Sequence, residues 1–238
     1  LSADWPAGVA RIVLDETDST NAEALRAAAP AWIMARRQTA ARGRGGRRWA
    51  MPEGNFAASL ALRPKLSAPE TALYSFVAAL ALHDVLSGLT DRPLALKWPN
   101  DVLLAECKVA GILLESAGGR ARPDRLAIGF GVNLRRAPED VADATIPPVA
   151  VGSDMDCETF LDFLAPAFAA REAIFRDRGF APIRDAWLAR AARLGEPVTA
   201  RTARQRHRGV FEDIDASGAL ILGTPRGREA VTAADVFF

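Results

Sequence analysis

Leu94-Ala-Leu-Lys-Trp-Pro-Asn-Asp-Val-Leu-Leu-Ala-Glu-Cys-Lys-Val-Ala-Gly-Ile-Leu-Leu-Glu-Ser116 is the stretch that decides the fold. Short apolar runs alternate here with turn residues: a run through Trp98, a Pro99-Asn100 turn, a second run to Glu106, a tight turn, then Lys108 to Ser116. Arg125 to Leu134 continues the pattern, so four successive strands of one sheet are expected between 94 and 134. On the N-terminal side, 9–16 and 31–38 read as strands, as does 55–62. Thr20-Asn-Ala-Glu23 has capping-box spacing ahead of a helix over 22–29, which puts Thr17-Asp-Ser-Thr-Asn21 on a strand-to-helix turn. Ser67-Ala-Pro-Glu70 opens another helix, with Leu73, Phe76, Val77, Leu80 and Leu86 on one side and a stop near Gly88.

Beyond a loop at 135–153, helical periodicity returns over 157–178 and 182–194, and Gly195 closes the second helix. Short alternating strands then fill 196–238. The expected fold is α+β: a body over 1–194 with a mixed β-sheet packed with helices, and a small β-barrel over 195–238.

Composition narrows the function. The 238 residues hold 30 basic and 29 acidic side chains, which describes an ordinary globular protein and not a general nucleic-acid binder. Cys107 and Cys157 stand fifty residues apart with only His83 and His207 to help, so no zinc spacing exists and a disulfide framework is not expected. No run of eighteen apolar residues occurs and the N-terminus lacks the pattern of a signal peptide, so a cytoplasmic protein is expected, with no membrane partner. Neither histidine accompanies a recognisable Ser or Cys nucleophile signature.

Three motifs can bear chemistry. From Arg36 to Arg48 there are six arginines and three glycines in thirteen residues with no acid, ahead of Trp49. Guanidinium forks suit carboxylate and phosphate oxygens, and glycines let a backbone close around them, so this loop should bind an anion. A solvated basic loop or a nucleic-acid patch fits the same composition. Lys97-Trp-Pro-Asn-Asp101 and Lys108-Val-Ala-Gly-Ile112 hold two of the chain's three lysines, expected on adjacent strands. Taken singly, each of these residues also fits a surface strand, a turn or a bulge. Gly129-Phe-Gly-Val-Asn133 ends a strand and is weak as a nucleotide motif.

Taken in chain order, Thr17-Asp-Ser-Thr-Asn21, Gln38, Arg42-Gly-Arg-Gly-Gly-Arg-Arg-Trp49, Lys97-Trp-Pro-Asn-Asp101, Lys108-Val-Ala-Gly-Ile112 and Gly129-Phe-Gly-Val-Asn133 resemble the biotin protein ligase family. The motifs span about Arg11 to Asn133, and the tail matches that family's small C-terminal SH3-like domain in placement. Ala41 departs from the pattern, since the family often has glycine before the first loop arginine. About ten residues precede the first strand, so the resemblance implies a member without the N-terminal DNA-binding domain of bifunctional relatives, and no DNA partner.

The resemblance implies a class II synthetase-like catalytic fold and a two-step reaction. Biotin and ATP, with Mg²⁺, give biotinyl-AMP, and a lysine of a biotin carboxyl carrier domain then takes the biotin. Lys108 would bridge carboxylate and α-phosphate, with Arg44 as its catalytic companion. Ser19, Thr20, Asn21, Gln38, Arg42, Gly43, Arg44, Lys108 and Gly111 would hold biotin. Arg47, Trp49, Lys97, Asn100, Asp101 and Asn133 would hold ATP, with no metal site built from protein alone. A lipoate or other acyl ligase shares the logic but usually bears an R-R-x-S-G-G-G-type stretch, absent here. A homodimer is compatible with the resemblance.

Overall fold

The computed structural model describes residues 4–27, 30–139, 146–202, 205–232 and 234–238. The body is a seven-stranded sheet in the order β1-β2-β3-β7-β6-β5-β4. Its strands are β1 (Ala10–Thr17), β2 (Ala31–Gln38), β3 (Phe56–Leu62), β4 (Leu94–Lys97), β5 (Asp101–Leu104), β6 (Cys107–Gly118) and β7 (Pro123–Val132). β1 and β2 are parallel, linked by α1 (Thr20–Arg26), and every other neighbouring pair is antiparallel. The sheet is therefore mixed, as expected, with four hairpin-linked strands over 94–132.

The register explains what each face does. Side chains alternate along a strand and directly paired residues share a face. On one face lie Trp32, Met34, Leu60, Phe130, Ile128, Ile112, Val102 and Leu96, all buried. That face packs against α2 (Ala68–Ala72), α3 (Tyr74–Leu86), α4 (Cys157–Arg178) and α5 (Phe180–Leu188) in the main core. Trp32 meets Phe130 and Phe168 there at ring separations of 5.3 and 5.9 Å.

The opposite face is only half covered. α1 closes a small cluster of Ala24, Ala31, Ile33, Ala61 and Ala127. Beside it the same face continues with Gly129, under Asn21 of α1, and then with Gly131, Gly111, Asp101 and Lys97, where no helix packs and side chains are small or charged. Apolar periodicity thus builds one face as core and leaves half of the other free.

At the helix start expected at Ser67, Ser67 and Glu70 form a capping box on α2. The one expected at Thr20 and Glu23 does not form. Ser19 is the N-cap, Glu23 accepts from Thr17 and Arg26, and the Thr20 hydroxyl turns instead toward Gln38 and Ser59. The helix expected over 182–194 stops at Leu188, because the following segment pairs with the edge strand: Leu96 N–H donates to Arg190 O and Ala192 N–H to Leu96 O, both at 2.8 Å. Residues 28 and 29 of the expected first helix lie outside the described residues.

The tail forms a second, antiparallel sheet in the order β11-β10-β9-β8-β12, built from β8 (Pro197–Arg201), β9 (Arg206–Ile214), β10 (Leu220–Thr224), β11 (Gly227–Val231) and β12 (Asp235–Phe237). It fits an SH3-like domain, although the described strands form an open ladder in which β11 and β12 do not pair. Trp98 Nε1 donates to Gly218 O across the two units, and Trp187 faces Phe211 at 6.5 Å.

Candidate active site

The uncovered half-face floors a cavity of about 930 Å³. Ser19, Thr20, Asn21, Gln38, Arg42, Gly43, Arg44, Arg47, Trp49, Lys97, Asn100, Asp101, Lys108, Gly111 and Asn133 all line it. Every residue singled out from the sequence therefore meets in one place, drawn from both ends of the sheet and from the loop between β2 and β3.

The floor is glycine for a steric reason. Gly111 and Gly131 are directly paired across β6 and β7, and Trp49 lies over both. A Cβ on Gly131 would come within 2.6 Å of Trp49 Cε2, and one on Gly111 within 3.2 Å of Cζ3. One on Gly129 would fall on the Asn21 side-chain oxygen. Gly129-Phe-Gly131 is thus a flat platform in mid-strand, not a phosphate-wrapping loop.

Trp49 reaches the platform because residues 41–49 fold back as a hairpin. Arg42 and Arg48 form an antiparallel bridge, Trp49 N–H donates to Ala41 O at 3.0 Å, and Gly45 and Gly46 turn the tip with φ of 69° and 76°. Ala41 occupies the stem, where a side chain costs nothing special. Arg44 donates to Ala234 O at 2.6 Å and pairs with Asp235 at 3.2 Å, and Arg47 pairs with the same carboxylate at 3.2 Å. Asp235 and Val236 bring the second sheet to the cavity wall.

At one end a buried polar cluster forms a small pocket. Thr20 N–H donates to Gln38 Oε1 at 2.8 Å, and the Ser59 hydroxyl sits 2.7 Å from Thr20 Oγ1 and 2.6 Å from Asn21 Oδ1. The Asn21 amide donates to Leu113 O and to Glu115 at 3.2 and 2.7 Å. An amide oxygen only accepts, so the single Ser59 proton goes to Asn21 and the Thr20 hydroxyl is left to donate to Ser59 or Gln38.

At the other end the lysines meet one carboxylate. Lys97 on β4 and Lys108 on β6 are not on adjacent strands, as the sequence suggested; β5 lies between them. Its Asp101 lies 3.8 Å from Lys97 Nζ and 2.6 Å from Lys108 Nζ. A register shift where β5 pairs with β6 lets Lys108 face Leu103 while Asp101 faces Gly111. Burial pulls the Lys97 pKa below the ordinary lysine range, opposed by Asp101 and reinforced by Lys108. Lys108 is more open, and its Nζ stands 5.5 Å from the Trp49 ring centroid, within cation–π range. Asn100 donates to Ile112 O at 2.6 Å and Asn133 to Val149 O at 3.1 Å, so both amides also brace the wall.

Ser59, Glu115 and Asp235 belong to the site and were not picked out from the sequence. Ser59 is a lone polar residue in the otherwise apolar strand Phe56–Leu62, which is a usable signal; Glu115 and Asp235 read as ordinary surface acids. Among the described residues no group of three His, Cys, Asp or Glu could hold a metal ion, and no helix is long and apolar enough to cross a membrane.

A cationic, glycine-floored cleft joined to a polar pocket and closed by an arginine hairpin suits a ligase that activates a carboxylate on a nucleotide. Known proteins agree. Residues 11–133 match the model of the Biotin/lipoate A/B protein ligase family and residues 194–238 that of the Biotin protein ligase C terminal domain; the chain belongs to this family. It is 56% identical to the biotin–[acetyl-CoA-carboxylase] ligase of Paracoccus denitrificans, covering 95% of this chain and 99% of that one. It is 32% identical to the bifunctional ligase/repressor BirA of Bacillus subtilis, covering 94% of this chain and 71% of that one. The structure of a biotin protein ligase from Aquifex aeolicus in complex with biotin and ATP superposes with a TM-score of 0.83 at 26% identity, over 95% of this chain and 98% of that one. Biotin protein ligation is the function of this chain.

Proposed function

We propose that the cavity residues divide the work of a biotin–[acetyl-CoA-carboxylase] ligase between two ends, with Lys108 where the ends meet. The observation that carries this reading is the position of the Lys108 ammonium, over the glycine platform beside Trp49 and Asp101. In the first step an oxygen of the biotin carboxylate bonds to the α-phosphorus of ATP, and the bond to the β-phosphate oxygen breaks, with pyrophosphate taking the electron pair. Both reactants are anions, so a cation aimed at the shared oxygens lowers the barrier. An ammonium on a flexible stem follows those oxygens as they move, which explains a lysine in a chain whose other cations are mostly arginine.

Ser19, Thr20, Asn21 and Gln38 receive the ureido head, whose carbonyl and N–H groups need a pocket of mixed donors and acceptors. Arg42, Gly43 and Arg44 hold the carboxylate and then the adenylate, and Gly111 leaves room for both. Trp49 covers the adenine, and Arg47, Lys97, Asn100, Asp101 and Asn133 order the phosphate end. Mg²⁺ bound to ATP would supply charge screening of its phosphates. Asp101 is already shared by two lysines, so the side chains here fit an ion carried by the nucleotide and not a resident one. In the second step the amine of an acceptor lysine attacks the carbonyl of the mixed anhydride, AMP leaves, and the amine proton is lost. The acceptor is the carboxyl carrier domain of a biotin-dependent carboxylase, and the setting is the cytoplasm.

The catalytic unit spans 1–194 and the SH3-like unit 195–238; the left-handed backbone at Gly195, ahead of β8, supports that boundary. The test is incubation with ATP, Mg²⁺ and either biotin or lipoate, followed by mass spectrometry of the acyl-AMP. Biotinyl-AMP is expected, and lipoyl-AMP alone would overturn the reading.

A further inference from the structure

Among the described residues, Glu115 is the one acid with hydrogen bonds to both the polar pocket and the arginine hairpin. It lies on β6, two and four residues beyond Leu113 and Gly111, and so on the platform face. One oxygen accepts from the buried Asn21 amide at 2.7 Å. The other accepts from Arg42 Nε at 3.1 Å, and the Arg42 guanidinium also reaches this carboxylate through a second nitrogen. Arg42 is the stem residue of the hairpin, bridged to Arg48 one residue before Trp49. Asn21 is oriented on its other side by Ser59. Asn21 and Arg42 line the cavity; Glu115 stands behind them and does not.

We propose that Glu115 is a positioning residue that couples occupancy of the polar pocket to the anchoring of the arginine hairpin. The inference rests on the biotin ligase reading above. A carboxylate accepts only, so together with the Leu113 carbonyl it sets which way the Asn21 amide faces: nitrogen toward Glu115, oxygen toward Ser59 and the platform. The same charge holds the Arg42 fork at a set distance from that amide. A ligand head pressing on Asn21 is therefore felt at the stem of the hairpin through one rigid side chain. Removing the charge while keeping the shape leaves the amide nitrogen with only the longer Leu113 bond and lets the guanidinium swing, and both changes fall on the biotin end and not on the ATP end.

The test is biotin titration calorimetry on wild type, Glu115→Gln, Arg42→Ala and the double variant, with melting temperatures and ATP KM alongside. Glu115→Gln should weaken biotin about tenfold, a typical loss for a charge-assisted hydrogen bond. Its ATP KM and melting temperature should stay close to wild type. The double variant should be weaker than Arg42→Ala by clearly less than the single Glu115→Gln effect, the mark of two residues acting as a unit. Independent, multiplying effects would overturn the coupling, as would a Glu115→Gln affinity within twofold of wild type. Equal losses for biotin, ATP and melting would reduce Glu115 to a structural part. A wild type that binds no biotin would overturn the ligase reading itself, whereas normal wild-type binding with an indifferent variant would overturn this inference alone.

Discussion

Substituting the platform glycines separates the two ends of the cavity. A methyl at Gly131 would sit 2.6, 2.8 and 2.9 Å from three atoms of the Trp49 indole, against ordinary contacts of 3.4–4 Å. Gly131 is not in left-handed backbone, so Ala costs its strand nothing in conformation and the whole effect falls on the ring. The indole must withdraw by roughly 1 Å, an overlap of the kind that costs about 1–3 kcal/mol. Trp49 stands on a hairpin that can lift, so the cost should appear in ligand binding more than in stability. It corresponds to about 5- to 140-fold in kcat/KM for ATP. Gly129→Ala strikes the Asn21 side-chain oxygen instead, which Ser59 holds while Leu113 and Glu115 hold the amide nitrogen, and should raise the biotin KM by a similar factor while leaving ATP less affected. Gly111→Ala, whose nearest contact is 3.2 Å, should be milder than Gly131→Ala. Pyrophosphate exchange, with each substrate varied in turn, reads all three variants. If Gly131→Ala leaves ATP kinetics within twofold of wild type, or if Gly131→Ala and Gly129→Ala affect the same substrate, the assignment of ends is wrong.

Lys108→Ala should slow adenylate formation by about 10²- to 10³-fold, ~2.7–4 kcal/mol, the usual loss for one preorganised donor; pyrophosphate exchange within threefold of wild type would contradict its role. Arg44→Gly removes a residue held by Ala234 and Asp235 and should let the adenylate escape, so that biotin appears on unrelated lysines in a protein mixture. Labelling confined to the acceptor would refute that. Lys97 has its pKa lowered chiefly by burial, so between its folded value and the ordinary lysine value the unfolded chain binds more protons than the fold. Stability relative to Lys97→Met should therefore rise with pH from neutrality toward 10; urea midpoints whose difference is flat or falls over that range would refute it.

Much of this was legible because the chemistry is local. The strands from 94 to 134 follow from apolar runs broken at Pro99-Asn100 and at Ala105-Glu106, and α4 from the helical periodicity over 157–178. The cavity residues were legible as motifs, since each is short and unusual against its surroundings. The order of strands was not. Nothing in Lys97-x₁₀-Lys108 says that β5 would separate the two lysines and offer Asp101 to both; that depends on two tight hairpins and a register shift. The end of α5 was misplaced for a related reason: 190–192 have helical composition but gain more by pairing with the exposed edge of β4. Glu115 and Asp235 were hidden because their partners are 73 and 191 residues away in sequence, whereas Ser59 showed as a lone hydroxyl whose partner, 38 residues away, did not.

The near-neutral net charge and the strongly basic hairpin are reconciled by where the acids lie. Asp101 holds Lys97 and Lys108, Asp235 holds Arg44 and Arg47, and Glu115 holds Arg42. Five cations face three carboxylates, so the cavity keeps a positive surplus while nearly every charge has a partner. None of these pairs is deeply buried except Lys97 with Asp101, so each is worth little as stability, on the order of 1 kcal/mol or less. Their use is geometric. An arginine whose fork is already held by a carboxylate spends less conformational freedom when a phosphate or carboxylate arrives. Because the partner of Arg44 and Arg47 sits on the second sheet, the position of the hairpin is tied to β12. The small tail thus supplies a wall of the cavity, and its Asp235 fixes where the hairpin arginines sit.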